Sequence, residues 1–226
     1  MKLTALMGRR ALMGMMGAGL AGASVLPLLA QEADAPTTTP EATPEAMPAG
    51  PRELVEMTMG AEDAPIEMVE YASFTCPHCM RFHTEVFPLI RANYIDTGKV
   101  RMIYRPVYFD GPGLWADMMA RCGGPEKYFG IVSLIYERQG EWSRGASGAE
   151  IAQSLVALGK LAGMTEEDIT ACMQDREFAN LMIEDYQANA TRDNVQGTPS
   201  FIINGEAMSN ATYETFAAKF DALLAE

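Results

Sequence analysis

The stretch Phe74–His83 reads FTCPHCMRFH, and its last eight residues hold two cysteines and two histidines. Two thiolates and two imidazoles can bind a metal ion such as zinc. Two thiols separated by two residues can instead cycle between a dithiol and a disulfide. The flanking segments, the cellular compartment and the other two cysteines decide between these chemistries.

The stretch lies between a predicted strand, residues 66–72, and a predicted helix. Five apolar residues that follow the second cysteine fall on one helical face: Phe82, Val86, Leu89, Ile90 and Tyr94. Pro77 suits the first turn of a helix, where no N–H is needed, so Cys76 is predicted to cap the helix. Pro88 is predicted to kink it. A CxxC at the strand-to-helix junction of a βαβ unit is typical of a thioredoxin-like redox motif.

The rest of the chain completes a mixed α/β pattern. Further strands are predicted at 53–59, 100–109 and 200–203. Helical spacing of apolar residues predicts a helical block over about 112–194 and a closing helix over 213–224. Thr165 to Asp168 resembles a capping box, and Asn204-Gly205 is a turn signal.

The first fifty-one residues are not expected to belong to the folded domain. Residues 1–30 begin with three basic residues and continue as an uncharged apolar run, which predicts a signal peptide; an uncleaved anchor is the alternative. Residues 31–51 hold five prolines among Ala, Thr and Glu, a composition typical of an extended linker. The folded domain is therefore predicted to span 52–226.

Charge excludes one class of partner. The chain has 17 basic and 30 acidic residues, a net charge of −13. Because the predicted signal peptide holds three basic and no acidic residues, its removal would leave −16. A surface this acidic repels phosphate backbones, so nucleic acid is not an expected partner.

A metal site would have to use Cys76, Cys79, His83 and His78. Structural zinc sites usually draw their ligands from two chain segments, whereas these four lie within about one and a half helical turns. Neither remaining cysteine has a CxxC partner. No metal is therefore expected, and a zinc or copper carrier is kept as the less favoured alternative.

A redox role accounts for more residues of the motif than a metal site does. A cysteine at a helix N-terminus has its thiolate stabilised by unpaired N–H groups and by the helix dipole, and the His78 imidazole can add a hydrogen bond or positive charge. Both effects stabilise the reduced form and make the disulfide oxidising, at about 30 mV for each tenfold preference. Cys79, one turn deeper than Cys76, is expected to be the resolving thiol.

From about residue 60 to its end the chain resembles the DsbA-like group of thioredoxin-fold proteins. The resemblance rests on CPHC, on the helical insertion and on Gly197-Thr198-Pro199 before a strand. It implies an α/β thioredoxin fold with an inserted helical domain. It also implies that Cys76 is the nucleophile, that Cys79 is its partner, and that no bound cofactor is needed.

The same resemblance assigns further residues. Pro77 and His78 are the middle dipeptide, which tunes the potential in this superfamily. Pro199 would be a cis-proline facing the disulfide, and Thr198 would offer backbone hydrogen bonds to an extended substrate. The prototype DsbA has valine before its cis-proline, and threonine there is shared with isomerase-type relatives, so an isomerase or reductase on the same fold stays open.

Glu70 matches the buried acid that helps to move the Cys79 proton in this group. No lysine partner for it is evident, so Arg101 or Arg105 on the next strand is expected to take that place. The alternative is a solvated glutamate at a strand edge. His83 has no assigned role and is expected at the surface.

If Cys76 and Cys79 pair, Cys122 and Cys172 are left, each on the apolar face of a predicted helix. A bridge between them is expected in an oxidising compartment, with two buried free thiols as the alternative. Closing a loop of about fifty residues could stabilise the fold by roughly 4 kcal/mol.

Together these expectations describe an exported, periplasmic thiol:disulfide oxidoreductase that oxidises substrate dithiols through Cys76 and Cys79. Its partners would be exported cysteine-containing polypeptides and, for reoxidation, a DsbB-like membrane quinone reductase. A monomer is expected, because the linker has no amphipathic period through which to oligomerise. Anchoring in the inner membrane would follow if residues 1–30 were not removed.

Overall fold

A computed structural model describes residues 54–226. The predicted signal peptide and the predicted linker lie outside the described residues. Within residues 54–226 no helix has the length and apolar character needed to span a bilayer.

A mixed sheet of five strands, in the order β1-β3-β2-β4-β5, forms the centre of the molecule. The strands are β1 Met57–Met59, β2 Ile66–Ala72, β3 Val100–Pro106, β4 Ser200–Ile203 and β5 Glu206–Ser209. β2 and β3 are parallel, and the other neighbouring strands are antiparallel. A parallel pair needs a crossover connection, which the helical segment after the CPHC motif supplies.

The central strand β2 is buried on both faces of the sheet. Met68 and Ala72 belong to the main core on one face, and Val69 and Tyr71 belong to a second cluster on the other. Because side chains alternate along a strand, Glu70 points into the main core with Met68 and Ala72. The strand thus places a carboxyl group in the apolar interior.

The helical segment that begins in the motif widens into a π-helical turn at two places. It consists of α1 Pro77–Arg81, a π-helical turn Phe82–Val86, α2 Phe87–Ile90 and a second π-helical turn Arg91–Ile95. The Phe87 N–H donates to the Phe82 carbonyl, five residues back, just before Pro88, which has no N–H to donate. The helical face predicted from the sequence is therefore wrong in part, because Phe87 is buried whereas Leu89 is 45% exposed.

Helices fill the chain between β3 and β4. They are α3 Gly111–Cys122, α4 Pro125–Glu137, α5 Gln139–Trp142, α6 Gly148–Leu161, α7 Glu166–Met173 and α8 Arg176–Arg192. Asp110, Ser147, Thr165 and Asp175 cap four of them, each accepting the backbone N–H three residues on. The predicted cap at Thr165 is among these. Helix α9, Tyr213–Leu224, closes the chain as predicted.

The turn predicted at Asn204-Gly205 joins two strands of the sheet. Both residues have positive φ, 47° and 84°, which suits the tight turn of a hairpin. The chain therefore folds back into β5, an additional strand at the edge of the sheet. The other predicted edge strand, 53–59, is shorter than expected and is reduced to β1.

A disulfide joins Cys122, at the end of α3, to Cys172 in α7. The two Cα atoms are 6.3 Å apart and fifty residues separate the cysteines in sequence. The bridge therefore joins two helices of the insertion to each other.

Candidate active site

Cys76 lies at the N-cap of α1, and Pro77 opens the helix without requiring a hydrogen-bond acceptor. The Cys76 carbonyl accepts the Met80 N–H, so the first helical turn is closed. Cys76 and Cys79 are both free thiols here. Cys76 is half-buried, whereas Cys79 is fully buried one turn further along.

The two thiols differ sharply in acidity. A hydrogen bond from the Cys79 thiol lowers the pKa of Cys76 to about 5, with further help from Thr198 and from the backbone N–H groups of Cys79 and His78, against the opposing effect of burial. The same hydrogen bond and burial raise the pKa of Cys79 well above its usual range. Cys76 is therefore suited to act as a thiolate nucleophile while Cys79 remains a thiol.

Thr198 lies beside the two sulfurs, in the loop before β4. The Thr198–Pro199 peptide bond is cis. Cys76 Sγ lies 3.5 Å from the Thr198 carbonyl oxygen. The Thr198 hydroxyl is buried and has no hydrogen-bond partner among residues 54–226, so it remains available to donate to a thiolate at Cys76.

The loop that enters the motif is held by side chains of the helical insertion. The buried Gln139 of α5 donates to the carbonyl oxygens of Phe74 and Cys76, at 2.7 and 3.0 Å. The Thr75 hydroxyl donates to Asp110, the cap of α3, at 2.8 Å. Gln139 is not among the residues predicted from the sequence, because a glutamine in a short helix carries no sequence signal of such a contact.

His78 does not add a positive charge to Cys76 in this arrangement. Its Nδ1 lies 2.7 Å from Nη2 of Arg81. A guanidinium can only donate, so Nδ1 accepts and the imidazole proton resides on Nε2. The permanent positive charge beside the motif therefore belongs to Arg81, and the backbone N–H of His78 is what acts on Cys76.

Glu70 is fully buried, and its partner is His83. His83 Nε2 lies 3.0 and 3.1 Å from the two carboxyl oxygens, and the imidazole stacks on Tyr136 with ring centroids 4.3 Å apart. The expectation of a surface His83 is wrong, because the π-helical turn rotates it inward. The expectation of an arginine partner is also wrong, since Arg105 instead contacts Glu56 and Asp193.

The residues considered for a metal site are not gathered around one point. His78 is engaged by Arg81 and His83 by Glu70. Among the described residues, no group of three or more His, Cys, Asp or Glu side chains is placed to hold a metal ion. The arrangement gives no support to a metal carrier.

A groove of about 520 Å³ lies next to the motif. Its walls come from the helical segment after the motif and from the loop before α9: Arg81, Phe82, Glu85, Val86, Leu89, Asn210, Ala211, Thr212, Tyr213 and Glu214. The exposed Leu89 lies on this groove, so part of the groove surface is apolar.

Comparison with known proteins decides the family. The model of the family described as Thioredoxin matches residues 53–222. The chain belongs to this thioredoxin family. This thioredoxin-family chain is 31% identical, over 76% of its length, to a Rickettsia bellii protein named as a protein-disulfide oxidoreductase, and it spans 65% of that relative's length. It is 25% identical to disulfide bond formation protein D of Bacillus subtilis, over 67% of this chain and 69% of that protein.

Solved structures agree with the family assignment. The crystal structure of Wolbachia pipientis alpha-DsbA1 superposes with a TM-score of 0.70 at 27% identity, covering 75% of this chain and 91% of that one. The predicted thioredoxin fold with an inserted helical domain, and the resemblance to the DsbA-like group, are thereby confirmed.

Proposed function

We propose that this thioredoxin-family protein is an exported thiol:disulfide oxidoreductase of the DsbA type, which passes its Cys76–Cys79 disulfide to exported polypeptides. The observation that carries the proposal is the asymmetry of the two thiols. A half-buried cysteine at a helix N-terminus has a pKa of about 5, and its buried partner has a raised one. DsbA is the established case of this combination of a low thiol pKa and strong oxidising power.

The reaction follows from these roles. A substrate thiolate attacks Sγ of Cys76, the bond to Cys79 breaks, and Cys79 leaves as a thiolate that takes up a proton. A second substrate thiolate then attacks the substrate sulfur of the mixed disulfide, and Cys76 leaves as a thiolate. Two electrons pass from the substrate to the enzyme, which ends as a dithiol. The low pKa of Cys76 makes it a good leaving group in this second step.

Substrate binding is assigned to Thr198, Pro199 and the groove next to the motif. The loop before β4 brings backbone polar groups to the sulfurs, and an extended peptide can add its own backbone to such a segment. The apolar groove beside Leu89 can take a side chain of the same peptide. Thr198 and Pro199 would thus orient the substrate sulfur toward Cys76.

The remaining parts of the proposal concern the cell. An oxidant of this kind needs an oxidising compartment, so we assign the protein to the periplasm, with residues 1–30 as its export signal or anchor. Reoxidation is assigned to a DsbB-like membrane quinone reductase. The chemistry resides in two sulfurs, so no cofactor is included, and the protein is proposed to act as a monomer.

The redox state of Cys76 and Cys79 in cells that express the full chain tests this proposal. Cells are quenched in acid, denatured, and labelled with a maleimide large enough to shift the mass. A pair that escapes labelling is held as a disulfide, which is the expected result. Labelling of both sulfurs would contradict an oxidase. The Cys122→Ala/Cys172→Ala variant is the control, since it leaves only the two motif cysteines to be counted.

An isomerase is the second candidate, and Thr198 is the observation that favours it. Its free hydroxyl lies at the position where the prototype oxidase has valine. A substrate with scrambled disulfides separates the two functions. An isomerase, added as the dithiol, restores the native pairing, whereas the proposed oxidase acts only on reduced substrate and only in its disulfide form.

A further inference from the structure

The reaction proposed above leaves one buried group without a role, the imidazole of His83. Glu70 occupies the central strand with Tyr104 and Phe201 opposite it on the neighbouring strands. Among residues 54–226 its carboxyl group has one hydrogen-bond partner, the Nε2 of His83, which lies 3.0 and 3.1 Å from the two oxygens. A carboxylate in an apolar core normally needs a paired cation or a proton.

The other polar groups around His83 do not exchange protons near neutral pH. Burial raises the pKa of Tyr104, Tyr128 and Tyr136 well above the ordinary tyrosine value, so these hydroxyls stay protonated. The Tyr104 and Tyr136 hydroxyls also hydrogen-bond to each other at 2.7 Å. These three hydroxyls therefore cannot supply a proton, and Glu70 and His83 are the ionisable side chains that lie beside them.

Thiol–disulfide exchange requires a side chain that can give a proton to Cys79 and take it back. When a substrate attacks Cys76, Cys79 leaves as a thiolate in a buried position and must take up one proton; on reoxidation it must release one. Its pKa is raised first by hydrogen bonding to Cys76 and by burial, and the negative charge of Glu70 adds to the increase. The ionisation of Cys79 and the charge on Glu70 are thus coupled.

The pair is closed to bulk solvent. Glu70 and Cys79 are 0% exposed, and the His83 side chain is 2% exposed. The His83 ring is fixed against the carboxyl group by stacking on Tyr136. An imidazole is the side chain best suited to gain and lose a proton near neutral pH.

We propose that His83 is a positioning residue for thiol–disulfide exchange: it holds Glu70 as a carboxylate and shares with it the proton that Cys79 takes up or releases. In the disulfide form the pair holds this proton, which compensates the carboxylate without an arginine or lysine. The proton passes to Cys79 when that thiolate leaves and returns to the pair on reoxidation. The inference rests on the proposed function, since it supplies the proton for the step in which Cys79 leaves.

Three variants of the full chain separate this role from a structural one. His83→Gln keeps an N–H donor for Glu70 but cannot accept the proton, His83→Leu removes both properties, and Glu70→Gln removes the carboxylate. Exchange of the oxidised protein with a reduced cysteine peptide is followed by acid quench at a series of pH values. Each variant is expected to slow the step in which the peptide thiolate attacks Cys76 and Cys79 leaves by about 100-fold at pH 7, which is the lower end of general acid–base effects. Each is also expected to flatten the pH profile of this step.

A merely structural His83 predicts a different pattern. His83→Gln would then keep the wild-type rate and pH profile while His83→Leu lost stability, and that result would overturn the inference. The double variant Glu70→Gln/His83→Gln is expected to be no slower than either single variant, because both changes remove the same shared proton. Additive losses would equally contradict a shared role.

Infrared spectroscopy tests the shared proton without relying on activity. In reduced His83→Leu, Glu70 is expected to take up a proton, which produces a carboxylic acid band that is absent from the wild type and from the Glu70→Gln/His83→Leu variant. If the band does not appear, the inference fails. If the wild type does not exchange with the peptide at all, the proposed function fails, and the band still reports on the pair.

Discussion

At the scale of single residues, the two motif cysteines differ because of where each lies in the fold, since their residue type is the same. Both are cysteines of one helical turn, yet one pKa falls to about 5 and the other rises. The Cys79 thiol, the Thr198 side chain and two backbone N–H groups lower the pKa of Cys76, whereas Cys79 is enclosed by the core. Such asymmetry allows one sulfur to meet the substrate and the other to resolve the intermediate.

Thr198 offers a direct test of this account. After the Cys79 thiol, its side chain makes the next largest contribution that lowers the pKa of Cys76. A hydrogen bond to a charged group is worth about 1.5–3 kcal/mol, and a pKa unit is about 1.4 kcal/mol. Thr198→Val is therefore expected to raise the pKa of Cys76 by about one to two units, measured by thiolate absorbance against pH. Thr198→Ser, which keeps the hydroxyl, should remain close to the wild type. Equal values for the two variants would contradict the role.

At the scale of elements, the active-site loop is fixed by a helix that lies more than sixty residues away along the chain. Gln139 of α5 bonds to the carbonyl groups on either side of Thr75. The inserted helices therefore position the motif as well as covering the sheet. This connection makes the insertion part of the site.

Replacing Gln139 by leucine should show how much this connection contributes. The Phe74 and Cys76 carbonyl groups would each lose a donor inside the protein, where an unsatisfied polar group costs about 1–3 kcal/mol. Gln139→Leu is expected to lower the free energy of unfolding by about 2 kcal/mol in urea denaturation. The control is Gln153→Leu on an exposed position of α6, with an expected change within about 0.5 kcal/mol. Similar values for the two variants would show that the Gln139 contacts do not hold the loop.

The helices and strands also show which features could be predicted from the sequence. Strand β2 and the closing helix α9 were predicted with their observed bounds, because a single local period governs each of them. The π-helical turn at Phe82–Val86 follows no such period, so the partner of Glu70 was assigned wrongly and His83 was placed at the surface. The contact of Gln139 with the loop is long-range, and no local pattern encodes it.

At the scale of the whole molecule, the low pKa of Cys76 links redox chemistry to folding stability. In the unfolded chain the thiol has an ordinary pKa near 9.0, against about 5 in the folded reduced protein. A group whose pKa is depressed by folding contributes stability that is fully present above its unfolded pKa and is lost as pH falls through its folded pKa. Cys79 stays protonated in the folded protein, and its unfolded thiol is also protonated below about pH 8, so Cys79 contributes no change between pH 5 and pH 7.

The reduced protein should therefore gain stability from pH 5 to pH 9, and the oxidised protein should gain none from this source. At about 1.4 kcal/mol per unit, the gain between pH 5 and pH 7 is roughly 2 to 3 kcal/mol. Urea denaturation of both forms at pH 5, 7 and 9 measures it, with reduced Cys76→Ser as the control because it keeps every other titrating group. The entropic effect of the four-residue disulfide loop does not depend on pH and cancels from the slope.

By the thermodynamic cycle, the free energy that stabilises the folded reduced protein also makes the folded disulfide more oxidising, at about 30 mV for each 1.4 kcal/mol. Parallel slopes for the two forms would mean that folding does not stabilise the Cys76 thiolate, and an oxidase would then lack its driving force.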